Sequence, residues 1–272
     1  MEINYPKIDW LTFTSWKSGD YLNWRDWLKL QSGEMTEGKI KMYSGHWVGP
    51  AFIGQGLQKN KNHYIARVSG EFSNEVYKDL WSPDVKATRI DVQITKKIPE
   101  NYSARKFIDS LRSGNWGNCE RDLQLIENSD GLDTVYIGSK KSDKFARMYV
   151  KSTLEGKFLR FEIEYKGDWA NAISTAFSND QNVLSNVLYD FINSLPLDSE
   201  GVLQEFLNLI SDVRSGISKP RRVVPDDNTY TWLVEKVSPV IWRFLNDHDR
   251  GADLASLLIK MIYQSGAGKI DE

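Results

Sequence analysis

Residues 145–151 (FARMYVK) and 158–165 (FLRFEIEY) alternate polar and apolar side chains, which is typical of strands with one buried face. Successive side chains of a strand point to opposite faces, so Arg147, Tyr149 and Lys151 share one face of the first segment. This pattern places a phenol between two cations. A tyrosine in that position can meet a phosphate whose negative charge is already compensated, as attack on a nucleic-acid backbone requires.

The same alternation continues in the second segment and in residues 88–94 (TRIDVQI). The polar members are Arg160, Glu162 and Glu164 in the former and Arg89, Asp91 and Gln93 in the latter. If these polar faces converge, Tyr149 lies beside several carboxylates, whose hard oxygen atoms suit Mg²⁺ or Mn²⁺. The predicted metal ligands are Asp91, Glu162 and Glu164. The alternative is a half-exposed sheet whose cross-strand ion pairs only stabilise it modestly.

The chain changes character near residue 168. Before that point, short alternating segments between Gly, Asn, Ser and Asp predict strands. They are Asp9–Thr14, Ile40–Tyr43, Phe52–Ile53, Tyr64–Ser69, Thr88–Thr95, Thr134–Gly138, Phe145–Lys151 and Phe158–Tyr165. Two helices are expected among them, over Tyr21–Leu30 and after a possible cap at Ser103.

Beyond residue 168, apolar residues recur at three- and four-residue spacing and predict helices. The expected helical sets are Ala172–Phe177, Val183–Phe191 and Val202–Ile210, with two more between residues 232 and 262 after a connector at 218–225. Strands and helices without strict alternation favour an α+β fold, with an antiparallel sheet backed by helices on one face. We therefore predict a sheet-rich domain over residues 1–168 and a helical region over 169–272, which could also pack into the same domain.

Composition limits the possible functions. The formal net charge is −2, which argues against a protein that holds nucleic acid by bulk positive charge, so any binding must be local. Between Lys140 and Lys166, however, cations outnumber acids. The single cysteine, Cys119, excludes an internal disulfide, and without a signal peptide or a long apolar run we expect a cytoplasmic protein.

Other candidate sites are weaker. His46, His63 and His248 show no metal-ligand spacing. The glycine-rich segment 49–56 lacks the Gly-Lys-Ser/Thr end of a nucleotide-binding loop, and we predict a hairpin there. Ser139 and Ser142 could bind phosphate, but a turn between two strands is the simpler interpretation.

Three motifs together resemble the replication initiation factor family, the rolling-circle Rep proteins of small plasmids with relatives in phages and integrative elements. The motifs are residues 136–151 (YIGSKKSDKFARMYVK), 160–162 (RFE) and 88–91 (TRID). The segments 9–14 and 66–70 are similar to early strands of that family. The resemblance covers about Asp9 to Gly167 and fades in the helical part. It departs at Val150, where many relatives carry Asp or Asn.

The resemblance implies a chemistry. Tyr149 would nick one DNA strand, leave a free 3′-hydroxyl and keep the 5′ end as a phosphotyrosine until a second transesterification rejoins the strand. Asp91 and Glu162 would support a divalent metal ion, Mg²⁺ or Mn²⁺. Arg147, Lys151 or Arg160 would offset charge in the transition state.

The expected partner is origin DNA, single-stranded or supercoiled, with a host helicase and a homodimer as further family expectations. The residues predicted to contact DNA are Arg89, Lys140, Lys141, Ser142, Lys144 and Arg160. The helical region would serve origin recognition, dimerisation or helicase contact. A noncatalytic DNA-binding or regulatory protein on the same fold remains the alternative.

Overall fold

In a computed structural model of the chain, the described residues are 5–70, 72–99, 105, 107, 109, 121–126, 133–196 and 201–210. All of them lie within one compact unit that spans Met1–Pro220. No helix in these ranges is both long and apolar enough to cross a bilayer. Several predictions fall elsewhere: the cap at Ser103, the connector at 218–225 and the helices between 232 and 262 lie outside the described residues.

Ten strands form a single antiparallel sheet within the described part of the chain. The strands are β1 (Lys7–Ser15), β2 (Thr36–Ile40), β3 (Tyr43–Val48), β4 (Ala51–Gly56), β5 (Tyr64–Ser69), β6 (Lys86–Lys97), β7 (Leu123–Ile126), β8 (Thr134–Ile137), β9 (Lys144–Thr153) and β10 (Gly156–Lys166). Their order across the sheet is β2-β3-β4-β5-β1-β6-β10-β9-β8-β7. The long strands β6, β10 and β9 are therefore central neighbours, with β1 beside them.

Five helices are described besides a short 3₁₀ turn at Gln58–Asn60. They are α1 (Ser18–Leu30), α2 (Phe72–Leu80), α3 (Gly167–Phe177), α4 (Val183–Asn193) and α5 (Val202–Ile210). Each buries a stripe at helical spacing, for example Val202, Phe206 and Ile210 in α5. The predicted α+β fold with an antiparallel sheet is confirmed.

The helices pack on one face of the sheet. The alternate apolar residues of the long strands, such as Leu11, Val92 and Ile163, are fully buried in the same cluster as the helix stripes. The polar alternates, among them Arg147 and Glu162, consequently project from the opposite face. We call that opposite surface the polar face.

Three segments differ from the sequence prediction. The strand predicted at Ile40–Tyr43 is wrong, because the chain turns there and those two residues pair across a hairpin. Lys41 makes this turn with a φ of 50°, a conformation that usually attracts glycine, so the sequence carried no turn signal. The helix α2 and the strand β7 were not predicted, although α2 buries Val76, Tyr77 and Leu80 at helical spacing. Strand β7 has only four residues, which is too short for a clear alternation.

The glycine-rich segment behaves as expected. Val48 pairs with Ala51 across a two-residue turn of Gly49 and Pro50, with Gly49 at a φ of 52°. The hairpin predicted for residues 49–56 is thus confirmed as the connection between β3 and β4.

Candidate active site

The polar face of β6, β10 and β9 brings together residues that are far apart in sequence. In the strand register, Glu162 lies opposite Arg147 on one side and Gln93 on the other, while Arg160 lies opposite Tyr149. Because directly paired residues share a face, their side chains converge. The strand register therefore brings the polar side chains of β6, β10 and β9 together, as the alternation in the sequence predicted.

Tyr149 is half-buried beside an acid and a cation. Its hydroxyl donates to Glu162 Oε2 at 3.2 Å, and Arg160 Nη1 lies 3.5 Å from the same hydroxyl. Burial raises the pKa of Tyr149 to about 12; the charge of Glu162 also raises this pKa, and Arg160 acts against both. The phenol therefore carries its proton at neutral pH, and Glu162 is the group placed to accept it.

Glu162 is 1% exposed and is held from both sides. Arg147 Nη2 donates to Glu162 Oε1, while Tyr149 occupies the other oxygen. The same Arg147 nitrogen lies 3.8 Å from Asp91 Oδ2. Arg147 thus links the tyrosine–glutamate pair to the next carboxylate along the face.

Asp91 is completely buried. Arg89 grips it with two bonds, from Nε to Oδ1 at 2.7 Å and from Nη2 to Oδ2 at 2.5 Å. Burial raises the pKa of Asp91 to about 7, although the bonds from Arg89 act in the opposite direction. Glu164 is engaged as well, with Arg89 at 2.8 Å and Lys166 at 2.9 Å.

Asp9 and Gln93 complete the site, and sequence reasoning did not assign either a role. Asp9 lies at an irregularity where the register of β1 against β6 shifts between Ile8 and Trp10. Such a bulge re-aims a side chain, and alternation alone does not reveal it. Asp9 Oδ1 lies 3.4 Å from Arg160 Nη1, and burial together with the charge of Glu162 raises the pKa of Asp9.

Gln93 had one available signal, since it alternates with Asp91 in residues 88–94. Its side chain is 3% exposed, and its Oε1 has no hydrogen-bond partner among the residues that the structure describes. Buried polar atoms are nearly always satisfied, so an unmet acceptor beside Glu162 indicates a place for a donor or a cation.

The oxygen atoms that are available for a divalent ion on this face do not belong to the predicted ligands Asp91 and Glu164. Among the described residues, no group of three or more Asp, Glu, His or Cys side chains is arranged as a metal site. Asp91 and Glu164 are saturated by cations, as described above. The less occupied oxygens belong to Asp9 and Gln93, and one carboxylate with substrate phosphates is a common way to hold Mg²⁺.

The predicted DNA-contacting residues divide between the two faces. Arg89 and Arg160 lie on the polar face, together with the half-exposed Lys151, which was predicted as a catalytic cation. Lys144 lies on the helix-covered face instead, with its Nζ 3.4 Å above the ring of Trp169. The period of two explains this separation, because residue 144 has the opposite parity from Tyr149.

Lys140, Lys141 and Ser142 lie in the exposed turn between β8 and β9. Gly138 enters this turn at a φ of 88°, and Ser142 Oγ donates to the Ser139 carbonyl at 2.7 Å. Lys166 Nζ, which also contacts Glu164, donates to the Lys140 carbonyl at 2.5 Å. The turn is thereby fixed beside the acidic end of the site.

Comparison with solved structures supports the fold. A rolling circle replication initiator protein from Geobacillus stearothermophilus superimposes with a TM-score of 0.55 at 15% sequence identity. The match covers 79% of this chain and 99% of that protein. No protein-family model and no curated protein sequence matches this chain.

Proposed function

We propose that this protein initiates rolling-circle replication by nicking and rejoining a DNA strand through Tyr149. The observation that carries the proposal is the bond from the Tyr149 hydroxyl to the buried Glu162, with Arg160 beside the same oxygen. A nucleophile, a proton acceptor and a cation are the three groups that such a reaction needs. The resemblance of the motifs and the fold of the Geobacillus protein agree with it.

In the proposed reaction, Glu162 takes the phenolic proton as the Tyr149 oxygen attacks a backbone phosphorus. A bond forms between the tyrosine oxygen and phosphorus, and the bond from phosphorus to the 3′-oxygen breaks. The leaving 3′-oxygen takes a proton from solvent water and becomes a free hydroxyl, while the 5′ phosphate stays on Tyr149. The reverse attack by a 3′-hydroxyl rejoins the strand and returns the proton to the phenolate.

Each of the three cations near Tyr149 has a different role in the proposed reaction. The raised pKa of Tyr149 means that forming the phenolate needs help, which Arg160 supplies at 3.5 Å. Arg147 holds Glu162 in position, and Lys151 on the same strand face lies where a phosphate would approach. These roles require ionised side chains but no movement of the sheet.

A divalent ion is the proposed cofactor, either Mg²⁺ or Mn²⁺. Asp9 and Gln93 Oε1 would hold it together with an oxygen of the DNA phosphate, in place of the predicted ligands Asp91, Glu162 and Glu164. When bound, the ion would polarise the phosphate and favour attack on it by the Tyr149 oxygen. Nicking is expected to stop on chelation with EDTA and to return with Mg²⁺ or Mn²⁺; an undiminished rate in EDTA would remove the metal from the proposal.

Mass spectrometry of a covalent adduct tests the proposed function. The chain is incubated with supercoiled or single-stranded DNA from a candidate replicon, digested with nuclease and protease, and searched for a phosphotyrosyl peptide. The adduct is expected on the peptide that contains Tyr149 and is lost in Tyr149→Phe. Tyr136→Phe is the matched control, since Tyr136 stands on the same face of the neighbouring strand and should leave the adduct unchanged.

The outcomes separate the two hypotheses. An adduct on another residue would contradict the assignment of Tyr149. Tight DNA binding without any adduct, across the DNAs tested, would favour the noncatalytic DNA-binding protein.

A further inference from the structure

A second group of residues occupies the polar face on β5, β1 and β3, away from the carboxylates. The Arg67 guanidinium lies 3.9 Å above the ring of Trp10, and the Arg89 guanidinium lies 4.3 Å from the same ring. One indole is thus placed between two cations. We call Trp47, Arg67 and Trp10 the tryptophan–arginine row.

Arg67 differs from the other arginines of this face because it has no acidic partner. Within the described residues it makes no salt bridge, and its Nε is buried without a hydrogen-bond partner. Burial lowers the pKa of Arg67, and the positive charge of Arg89 lowers it further. A guanidinium without an acidic partner, next to a like charge, is a site that an anion would stabilise.

The row extends toward the edge of the sheet through an aromatic surface. Trp47 lies 5.8 Å from the Arg67 guanidinium and 5.0 Å from the ring of Phe52. Glycine makes room for the Trp47 ring, because a Cβ at Gly38 would come within 2.7 Å of it. The half-buried Trp47 ring therefore rests on the backbone of the neighbouring strand.

The row and Tyr149 share the polar face. The sheet order places Arg67 on β5 and Tyr149 on β9, four strand spacings apart. At about 4.8 Å a spacing, the separation is roughly 19 Å along the face. A DNA strand with its scissile phosphate at Tyr149 could reach Arg67 with its flanking nucleotides.

We propose that the tryptophan–arginine row binds the single-stranded DNA that flanks the nicked phosphate, with a phosphate on Arg67 and a base against Trp47. The inference rests on the proposed function for the identity of the strand. Its chemistry is that of single-strand binding, which combines unpaired cations for the backbone with aromatic rings for stacking. Double-stranded DNA would not offer its bases to Trp47, so the row favours an unpaired strand.

Binding of a labelled oligothymidylate to the full-length protein, followed by fluorescence anisotropy across a salt series, tests this inference. In Arg67→Gln, affinity is expected to fall about tenfold. The slope of the logarithm of the binding constant against the logarithm of the salt concentration should become shallower by about 0.7, the value for one phosphate contact on a single strand. Trp47→Leu should weaken binding about fivefold or more and leave the slope unchanged.

Arg25→Gln is the matched control. Arg25 also has a buried Nε without a hydrogen-bond partner and lies 5.9 Å from the ring of Tyr21, but on helix α1. Its removal should leave affinity and slope at the values of the unmodified protein. Equal effects of Arg67→Gln and Arg25→Gln would overturn the inference.

A second measurement does not depend on a variant. In the unmodified protein, phenylglyoxal labelling of Arg67 should decrease when the oligothymidylate is bound, whereas labelling of Arg25 should not change. Labelling of Arg67 that is the same with and without the oligonucleotide would contradict the inference even if Arg67→Gln failed to fold.

Parallel nicking assays keep the two proposals distinguishable. If the protein nicks DNA but its binding of the oligothymidylate does not depend on Arg67, the proposal for the tryptophan–arginine row is wrong and the role proposed for Tyr149 stands. If binding depends on Arg67 but no adduct forms at Tyr149, the nicking proposal is wrong and the proposal for the tryptophan–arginine row stands.

Discussion

The polar face has two halves that use arginine in opposite ways. Around Tyr149, guanidinium groups are neutralised by buried carboxylates, as Arg147 is by Glu162. In the tryptophan–arginine row, Arg67 has no acid within reach among the described residues and lies instead on the ring of Trp10. Arg89 belongs to both halves, because it binds Asp91 and also lies near Trp10.

The paired and the unpaired arginines suit different tasks. Paired charges fix geometry, since each ion holds its partner in one orientation, and this suits groups that must align with a reacting phosphate. An unpaired cation keeps its donors available for a ligand that arrives from solvent. The protein can thus carry a formal net charge of −2 and still present a local cluster of cations on this face.

The largest expected effect comes from removing the Tyr149 hydroxyl. Tyr149→Phe should reduce nicking by several orders of magnitude, because no other group supplies the nucleophile. Binding of the oligothymidylate should change less than about threefold, because phosphate contacts supply most of the affinity. Single-turnover cleavage of an end-labelled oligonucleotide measures the first quantity and anisotropy the second. Substantial cleavage by Tyr149→Phe would contradict the division between the two halves.

Stability should respond unequally to loss of an arginine in each half. Arg147→Met leaves the buried Glu162 without its cation and should lower the free energy of unfolding by about 3 kcal/mol. Arg67→Met leaves no carboxylate unpaired and should lower it by at most about 1 kcal/mol, the value of a cation–π contact. Urea unfolding followed by circular dichroism measures both changes.

A double variant sharpens this comparison. Arg147→Met combined with Glu162→Gln should be more stable than the sum of the single changes predicts, since neither charge is then left alone. Equal losses for Arg147→Met and Arg67→Met would remove the distinction between paired and unpaired arginines.

The pH dependence of stability should report on Asp91. Its pKa of about 7 in the folded chain lies above the ordinary value of 3.8, so the native state favours the protonated form. The resulting stabilisation is complete below the ordinary pKa and is lost as the pH rises through the folded value. The stability of the unmodified chain relative to Asp91→Asn should therefore decrease between about pH 4 and pH 7, as thermal unfolding in a buffer series would measure. A difference that stays constant over this range would mean that Asp91 does not titrate there.

The smallest effect is expected at Gly38. Gly38→Ala places a Cβ against the ring of Trp47 and should displace the indole, which weakens oligothymidylate binding about threefold through lost stacking. Gly19→Ala is the control, because a Cβ there meets nothing within 4 Å. Anisotropy titrations of the two variants measure the difference, and equal affinities would argue that Trp47 does not contact the strand.

Much of the site could be predicted because it depends on local periodicity. Alternation assigned Tyr149, Glu162 and Asp91 to one face, and the strand register brings them together. By the same rule, residue 144 has the opposite parity, and Lys144 lies on the helix-covered face beside Trp169.

The remaining features depended on contacts that periodicity does not encode. The position of Asp9 depends on a shift in the pairing of β1 with β6, and the sequence of neither strand alone predicts that shift. Metal coordination by Asp91 and Glu164 was expected from their charge, but Arg89 approaches both of them. The hairpin at Lys41 was missed because a lysine occupies a conformation normally taken by glycine or asparagine.

By itself, the sequence determined which side chains share a face, because the two-residue period of a strand is a local property of the backbone. It also determined that helices cover the apolar face, since their stripes recur at helical spacing. Only the tertiary structure decided the strand order, which places β1 between β5 and β6. That order brings Trp10 between Arg67 and Arg89 and sets Asp9 beside Arg160, because pairing between distant strands depends on packing of the whole sheet and not on any one segment.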